Sequence, residues 1–100
     1  MRTVRIYDLE SKKLLKELAA HEDAVNAVAY SANGQWLATG SDDRAIHLWD
    51  AASGAYLASA ELDTQIKSLC FSPNDRFLFT GNGNTSCYQI EVKKVLEARD

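Results

Sequence analysis

A hydroxyl at Thr39, an imidazole at His21 and a carboxylate at Asp43 are the side-chain types that nucleophilic catalysis uses. A hydroxyl becomes a nucleophile only beside a base, and the base in turn needs a third group to orient it, so the three raise a catalytic His–Asp pair with Thr39 as nucleophile as a question. His21-Glu22 raises metal chemistry, because it opens like the zinc-protease helix signature. The second histidine of that signature is missing. The next histidine is His47, and no cysteine stands near either, so the spacing carries no zinc pattern. Gly81-Asn82-Gly83-Asn84 holds a lone G-x-G, but a turn between strands calls for glycine at positive φ in any case. Asn84-Thr85-Ser86 is a formal glycosylation acceptor with no sign of secretion around it.

The elements that must position these residues come as a repeat. Leu48-Trp49-Asp50 aligns with Ile6-Tyr7-Asp8 at an offset of 42, and Ser72, Asn74, Leu78, Thr80 and Gly81 align with Ser31, Asn33, Leu37, Thr39 and Gly40 at an offset of 41. Ile66 stands for Val25, Leu69 for Val28, Phe71 for Tyr30 and Phe77 for Trp36, in order and without gaps. Self-similarity at this period marks a repeat architecture, in which one unit cannot bury its apolar face without a neighbour.

Within one period, turn residues punctuate short β-type runs. Val25–Ser31, Trp36–Gly40, Ala45–Trp49 and Ala55–Glu61 are separated by Asn33-Gly34, Ser41-Asp42-Asp43-Arg44 and 50–54, the pattern of a four-stranded meander. The next copy predicts strands at Ile66–Phe71, Arg76–Thr80 and Ser86–Ile90, with Val92–Ala98 as its fourth. Half a copy precedes, at Thr3–Asp8 and Lys13–Leu18. Leu14, Leu15 and Leu18 would suit an amphipathic helix, but the alignment of Lys13–Leu18 with Ala55–Ala60 predicts a strand. The composition from Glu91 onward also suits a helix.

Composition sets the outer bounds. One hundred residues allow one small domain, and 46% apolar with 25% charged residues is ordinary for a soluble chain. A net charge of −3 lacks the electrostatic footprint of a nucleic-acid binder. The lysines at 12, 13, 16, 93 and 94 sit among Glu10, Glu17, Glu91 and Glu97 and read as solvated strand ends. No apolar run reaches the roughly 18 residues of a membrane span, and 1–5 has no signal-type apolar stretch, so a cytoplasmic setting is expected. Cys70 and Cys87 occupy strand positions where the neighbouring copy has Ala29 and Ile46, which suits reduced cysteines packed as small hydrophobes.

Residues 21–50 read H-E-D-A-V-N-A-V-A-Y-S-A-N-G-Q-W-L-A-T-G-S-D-D-R-A-I-H-L-W-D. In its opening His, its V-x-x-V-x-Y-S, L-A-T-G-S and D-x-x-I-x-L-W-D, this stretch resembles the Trp-Asp (WD) repeat family of β-propellers, with the likeness fading through 66–91 to 3–18. The resemblance implies an all-β fold of four-stranded blades packed face to face, here an incomplete propeller: 3–18 a half blade, 25–61 a full blade, 66–98 a full but degenerate blade. Strands nearest the channel would have neighbours on both faces, and Val25–Tyr30 is small and apolar enough for that. Trp36 and Trp49 read as core and blade-packing residues.

The resemblance also implies a structural hydrogen-bond set of His21, Thr39, Asp43 and Trp49. A buried relay of that kind uses the same residue types as the catalytic reading and displaces it. Asp43 is then a structural acid and Asp42 a solvent-facing one. The next copy keeps only Thr80, with Leu62, Asn84 and Ile90 at the other three places. The function implied is a non-catalytic protein-interaction scaffold, presenting Glu22, Asp23, Asp42 and Arg44 from one blade and Asp63, Gln65, Asn82 and Asn84 from the next. Their acidic and amide character favours a basic or polar partner segment. The alternative is a self-associating module that forms a ring with other copies or other blade-bearing chains. No cofactor, metal, nucleic acid or membrane partner is expected.

Overall fold

A computed structural model describes residues 3–19, 21–84 and 86–97. Among the described residues nine strands form three antiparallel sheets and one short helix follows them. The half sheet pairs β1 (Thr3–Tyr7) with β2 (Leu14–Ala19). The middle sheet runs β3 (Val25–Tyr30), β4 (Trp36–Ser41), β5 (Ala45–Asp50) and β6 (Tyr56–Glu61) in sequence order. The third sheet holds β7 (Ile66–Phe71), β8 (Phe77–Asn82) and β9 (Cys87–Glu91), and α1 (Val92–Glu97) follows it.

The repeat is legible in the turns. Ser31 Oγ donates to Asn33 Oδ1 at 2.7 Å and accepts from Trp36 N at 2.9 Å. One period later Ser72 Oγ donates to Asn74 Oδ1 at 2.7 Å and accepts from Phe77 N at 3.0 Å. A side chain that satisfies the backbone of a tight turn locks the register of the strands on either side. The turns differ at the residue that takes positive φ. Gly34 takes a φ of 75°, and its counterpart Asp75 takes 59°, a conformation that aspartate tolerates better than most residues. Asp75 is buried, and its carboxylate accepts from Ala32 N at 2.6 Å and Asn33 N at 2.9 Å, tying the third sheet to the middle one.

Two apolar layers alternate with the sheets. Ala38, Ile46 and Leu48 from the middle sheet, Ile66 and Leu78 from the third sheet, and Val92 from α1 form one buried cluster. Full burial of an aliphatic side chain contributes about 2 kcal/mol, so this layer holds the two sheets together. Gly40 sets the close approach: a Cβ there would lie 2.5 Å from Ile66 Cγ2. Leu18, Leu37 and Trp49 form a second cluster between the half sheet and the middle sheet, with Val4, Ile6 and Val25 against it.

The structure departs from two sequence expectations. The expected fourth strand at Val92–Ala98 is a helix over Val92–Glu97, and Ala98 lies outside the described residues. Val92, Val95 and Leu96 recur at helical spacing, pack on the first cluster and cover the margin that a strand would have lined. Nor does β3 have neighbours on both faces: Val28 and Tyr30 are each 52% exposed. Both register with β4 residues of the face turned to the half sheet, Thr39 and Leu37. The two strands of the half sheet reach Leu37, Trp49 and Val25 but leave Val28 and Tyr30 of the innermost strand half exposed.

Candidate functional site

The four residues expected to act together meet on the face of the middle sheet that looks toward the half sheet. Thr39 pairs with His47 across β4 and β5, and Trp49 lies two residues further along the same face. Trp49 Nε1 donates to Thr39 Oγ1 at 3.1 Å. His21 enters from the loop before β3, with Nε2 at 2.7 Å from Thr39 Oγ1 and Nδ1 at 3.0 Å from Asp43 Oδ2. Donation from Nδ1–H to the carboxylate leaves Nε2 to accept the threonine proton, so each polar group in the relay has a partner.

Thr39 is 0% exposed, and the His21 side chain is equally enclosed. A nucleophile with no solvent face and a hydroxyl already shared by an imidazole and an indole has nowhere to receive a substrate. Burial pushes the Asp43 carboxyl up, but donation from the backbone N–H groups of Ala45 and Glu22, together with His21, outweighs it and holds the group below the usual carboxylate range. The arrangement is a clamp. It fastens the loop before β3 and the β4–β5 turn onto the sheet.

His47, which the sequence did not single out, completes the neighbourhood. Its ring stands edge-on to His21 at 4.2 Å between centroids and stacks on Trp49 at 5.9 Å. Burial pushes its pKa down, and the neighbouring His21 acts in the same direction. Its Nδ1 is buried without a hydrogen-bond partner. His21, Asp43 and His47 line a cavity of about 540 Å³ together with Thr3, Ser59, Glu22 and Glu61.

The third sheet has a different arrangement at the matching positions. Thr80 Oγ1 donates to Asn82 Oδ1 at 2.5 Å and accepts from Tyr88 N at 3.0 Å. Leu62 and Ile90 join the apolar cluster.

The loop residues named from sequence gather at one end, where backbone bonds join successive loops: Asp42 N to Ala24 O, Leu62 N to Arg44 O and Gly83 N to Gln65 O. Glu22, Asp23, Arg44, Asp63, Gln65 and Asn84 are exposed there. Two of the eight read differently in the structure. Asn82 is the buried last residue of β8, where it accepts the Thr80 hydroxyl; it is not a loop position. Asp42 does not simply face solvent: it accepts from Lys67 Nζ at 2.9 Å and Asn26 Nδ2 at 2.6 Å, and Asn26 also donates to Ile66 O across the sheets. Hydrogen bonds from Lys67 and Asn26 hold its carboxyl below the usual range. Asp63 accepts the Tyr88 hydroxyl at 2.7 Å. Cys70 and Cys87 are free and exposed; they register with Phe79 and Gly81 on opposite sides of β8, and two strand spacings exceed the reach of a disulfide.

Short antiparallel meanders stacked face to face are the construction of a β-propeller, and the present chain is part of one. The family model described as WD domain, G-beta repeat matches residues 12–50 and 54–89, and the chain belongs to that family. It is 35% identical over 97 residues to the small ribosomal subunit protein RACK1y of Oryza sativa subsp. japonica, covering 96% of the chain and 29% of that protein. It is 30% identical over 105 residues to WD repeat-containing protein 36 of Homo sapiens, covering 96% of the chain and 12% of that protein. The chain thus spans under a third of the length of these relatives. Its backbone is similar to the crystal structure of the Cps50 (Swd1) β-propeller domain of Myceliophteria thermophila, with a TM-score of 0.81 over 90% of the chain and 29% of that domain, at 19% identity.

Each matched repeat crosses a sheet boundary. Residues 12–50 take in β2 of the half sheet with β3, β4 and β5 of the middle one, and 54–89 take in β6 with β7, β8 and most of β9. Each matched repeat thus supplies the outer strand of one sheet and the three inner strands of the next. Among the described residues no helix is long and apolar enough to cross a membrane.

Proposed function

We propose that the chain is a non-catalytic protein-interaction scaffold and one piece of a larger propeller. In this reading 3–18 is a half blade, 25–61 a full blade, and 66–97 a degenerate blade with three strands among the described residues. The observation that carries it is the pair of open ends on a rigid stack. β1 has no second strand neighbour among the described residues, and Val28 and Tyr30 are half exposed on an otherwise apolar layer. The joined loop end is the partner surface, with Glu22, Asp23, Arg44, Asp63, Gln65 and Asn84 its exposed members. Its carboxylates favour a basic or polar peptide segment. A net charge of −3 favours protein over nucleic-acid partners, and two exposed free thiols suit the cytoplasm. The clamp of His21, Thr39, Asp43 and Trp49 holds the loops in place and does no chemistry.

Fluorescence anisotropy with a labelled lysine-rich peptide tests the loop end. Binding should weaken at least tenfold in a Glu22→Lys, Asp23→Lys double variant of unchanged circular dichroism. Equal binding by both proteins would remove the loops from the partner surface.

The open β1 edge and the bare Val28 and Tyr30 favour a second reading, self-association into a ring with other copies or other blade-bearing chains. Native mass spectrometry at micromolar concentration separates the two readings. A discrete oligomer supports the ring, and a monomer argues against it.

A further inference from the structure

We propose that His21, Asp43 and His47 form a binding site for a borderline divalent transition metal of the zinc, cobalt or nickel kind, on the inner wall of the cavity between the half sheet and the middle sheet. One ligand atom from each residue lies within 4.8 Å of the other two. Two imidazoles and a carboxylate are the donor set of open zinc sites, whereas calcium and magnesium select oxygen ligands alone. Sequence spacing could not show this set, because His21 and His47 come from a loop and from β5 and meet only when β5 lies beside β4.

The clamp accounts for His21 and Asp43 but leaves His47 unexplained. His47 Nδ1 is buried and has no hydrogen-bond partner. Buried polar nitrogens are nearly always satisfied, and one left over beside a second imidazole and a carboxylate calls for a missing partner. A metal ion uses the lone pair that no donor in the fold reaches. Donors about 2.0–2.1 Å from zinc in tetrahedral array stand about 3.3 Å apart. His21 Nδ1 and Asp43 Oδ2, at 3.0 Å, are already close to that spacing, so the approach falls to His47. The His47 ring, whose Nδ1 has no hydrogen-bond partner among the described residues, is the one that turns.

The Thr39 side of the clamp survives the exchange, and the ion takes the place of the proton between His21 Nδ1 and Asp43. For the ion to bind His21 Nδ1, the ring moves its proton to Nε2, 2.7 Å from Thr39 Oγ1, which has a lone pair to accept it. The threonine hydroxyl turns its own proton aside, the Trp49 Nε1 bond remains, and no proton leaves the protein. The cavity of about 540 Å³ has room for waters in the open coordination positions, and Glu22 and Glu61 on its lining favour a cation.

The test uses untagged protein with Cys70→Ser and Cys87→Ser, so that thiols cannot ligate. Added cobalt should give a visible d–d band. Zinc should raise the melting temperature by roughly 10 °C once its free concentration is about a hundredfold above the dissociation constant. His47→Gln, which lies outside the clamp, should abolish both effects and leave the metal-free melting temperature nearly unchanged. Nitrogen-15 shifts of the chain's two histidines should show the His21 proton moving from Nδ1 to Nε2 with zinc. Absence of a cobalt band, a zinc effect that persists in His47→Gln, or an unmoved tautomer would each overturn the proposal.

Discussion

The middle and third sheets are written on one plan, and they solve the same problem in different ways. The middle sheet buries a histidine, a threonine and an indole in one polar relay, closed by a carboxylate that keeps some solvent. The third sheet keeps the threonine alone, gives it Asn82 as a local partner, and fills the vacated places with Leu62 and Ile90. A buried polar network is tolerable when each member is satisfied and costly when one is left without a partner, so the threonine that stays needs the new partner that Asn82 supplies. The third sheet compensates from outside itself. Asp75 reaches back to two backbone N–H groups of the middle sheet, from a position where the middle sheet has only Gly34.

Paired substitutions break or sharpen this comparison. The largest effect is expected from Ile66→Ala, which empties the layer between the sheets and should cost about 3 kcal/mol in urea unfolding. Its counterpart Val25→Ala, at a partly exposed position, should cost about 1 kcal/mol. Next come the two threonines. Thr39→Val leaves the His21 and Trp49 nitrogens without their shared oxygen and should cost about 2 kcal/mol, whereas Thr80→Val should cost about 1 kcal/mol. Equal losses would mean that the relay adds nothing over the local pair.

Glycine separates the sheets again. Gly40→Ala drives a methyl into Ile66 and should cost about 1–2 kcal/mol, while Gly81→Ala meets only the Ser68 hydroxyl, which can rotate away, and should cost under about 0.5 kcal/mol. The smallest effect is with pH. The lowered Asp43 carboxyl contributes stability that is present above the unfolded value near 3.9 and is lost as pH falls through its folded value. The lowered His47 adds a loss that begins as pH falls below about 6.5, where the unfolded chain takes up the proton first. Hydrogen exchange should therefore show acid weakening β4 and β5 before β8 and β9; the reverse order would tell against the assignment.

Much of this was legible in the residues, and the rest has a physical reason for having been hidden. Turn chemistry and strand period are local, so Ser31-Ala32-Asn33-Gly34 and its copy place the strands, and Lys13–Leu18 reads as β2 despite its helical look. The composition from Glu91 onward suits the helix α1, and it is the period, carried one strand too far, that sets a strand there against Val92, Val95 and Leu96 at helical spacing. The members of the clamp could be named by position, but not their neighbour His47, since no local pattern records which ring lands beside which. Asp75 did leave a signal: an acid standing where the repeat puts glycine is a residue placed at positive φ for its side chain.

The stagger between repeat and sheet has a bearing on how such chains lengthen. Because 12–50 begins with the outer strand of one sheet and ends on the third strand of the next, duplicating that unit repairs the sheet before it as it founds the one after. Copies join like overlapping roof tiles, each pinned under its predecessor. Insertion of a whole sheet such as 25–61 would part β2 from the strand that follows it in the same repeat, and so would undo the lap that joins one blade to the next.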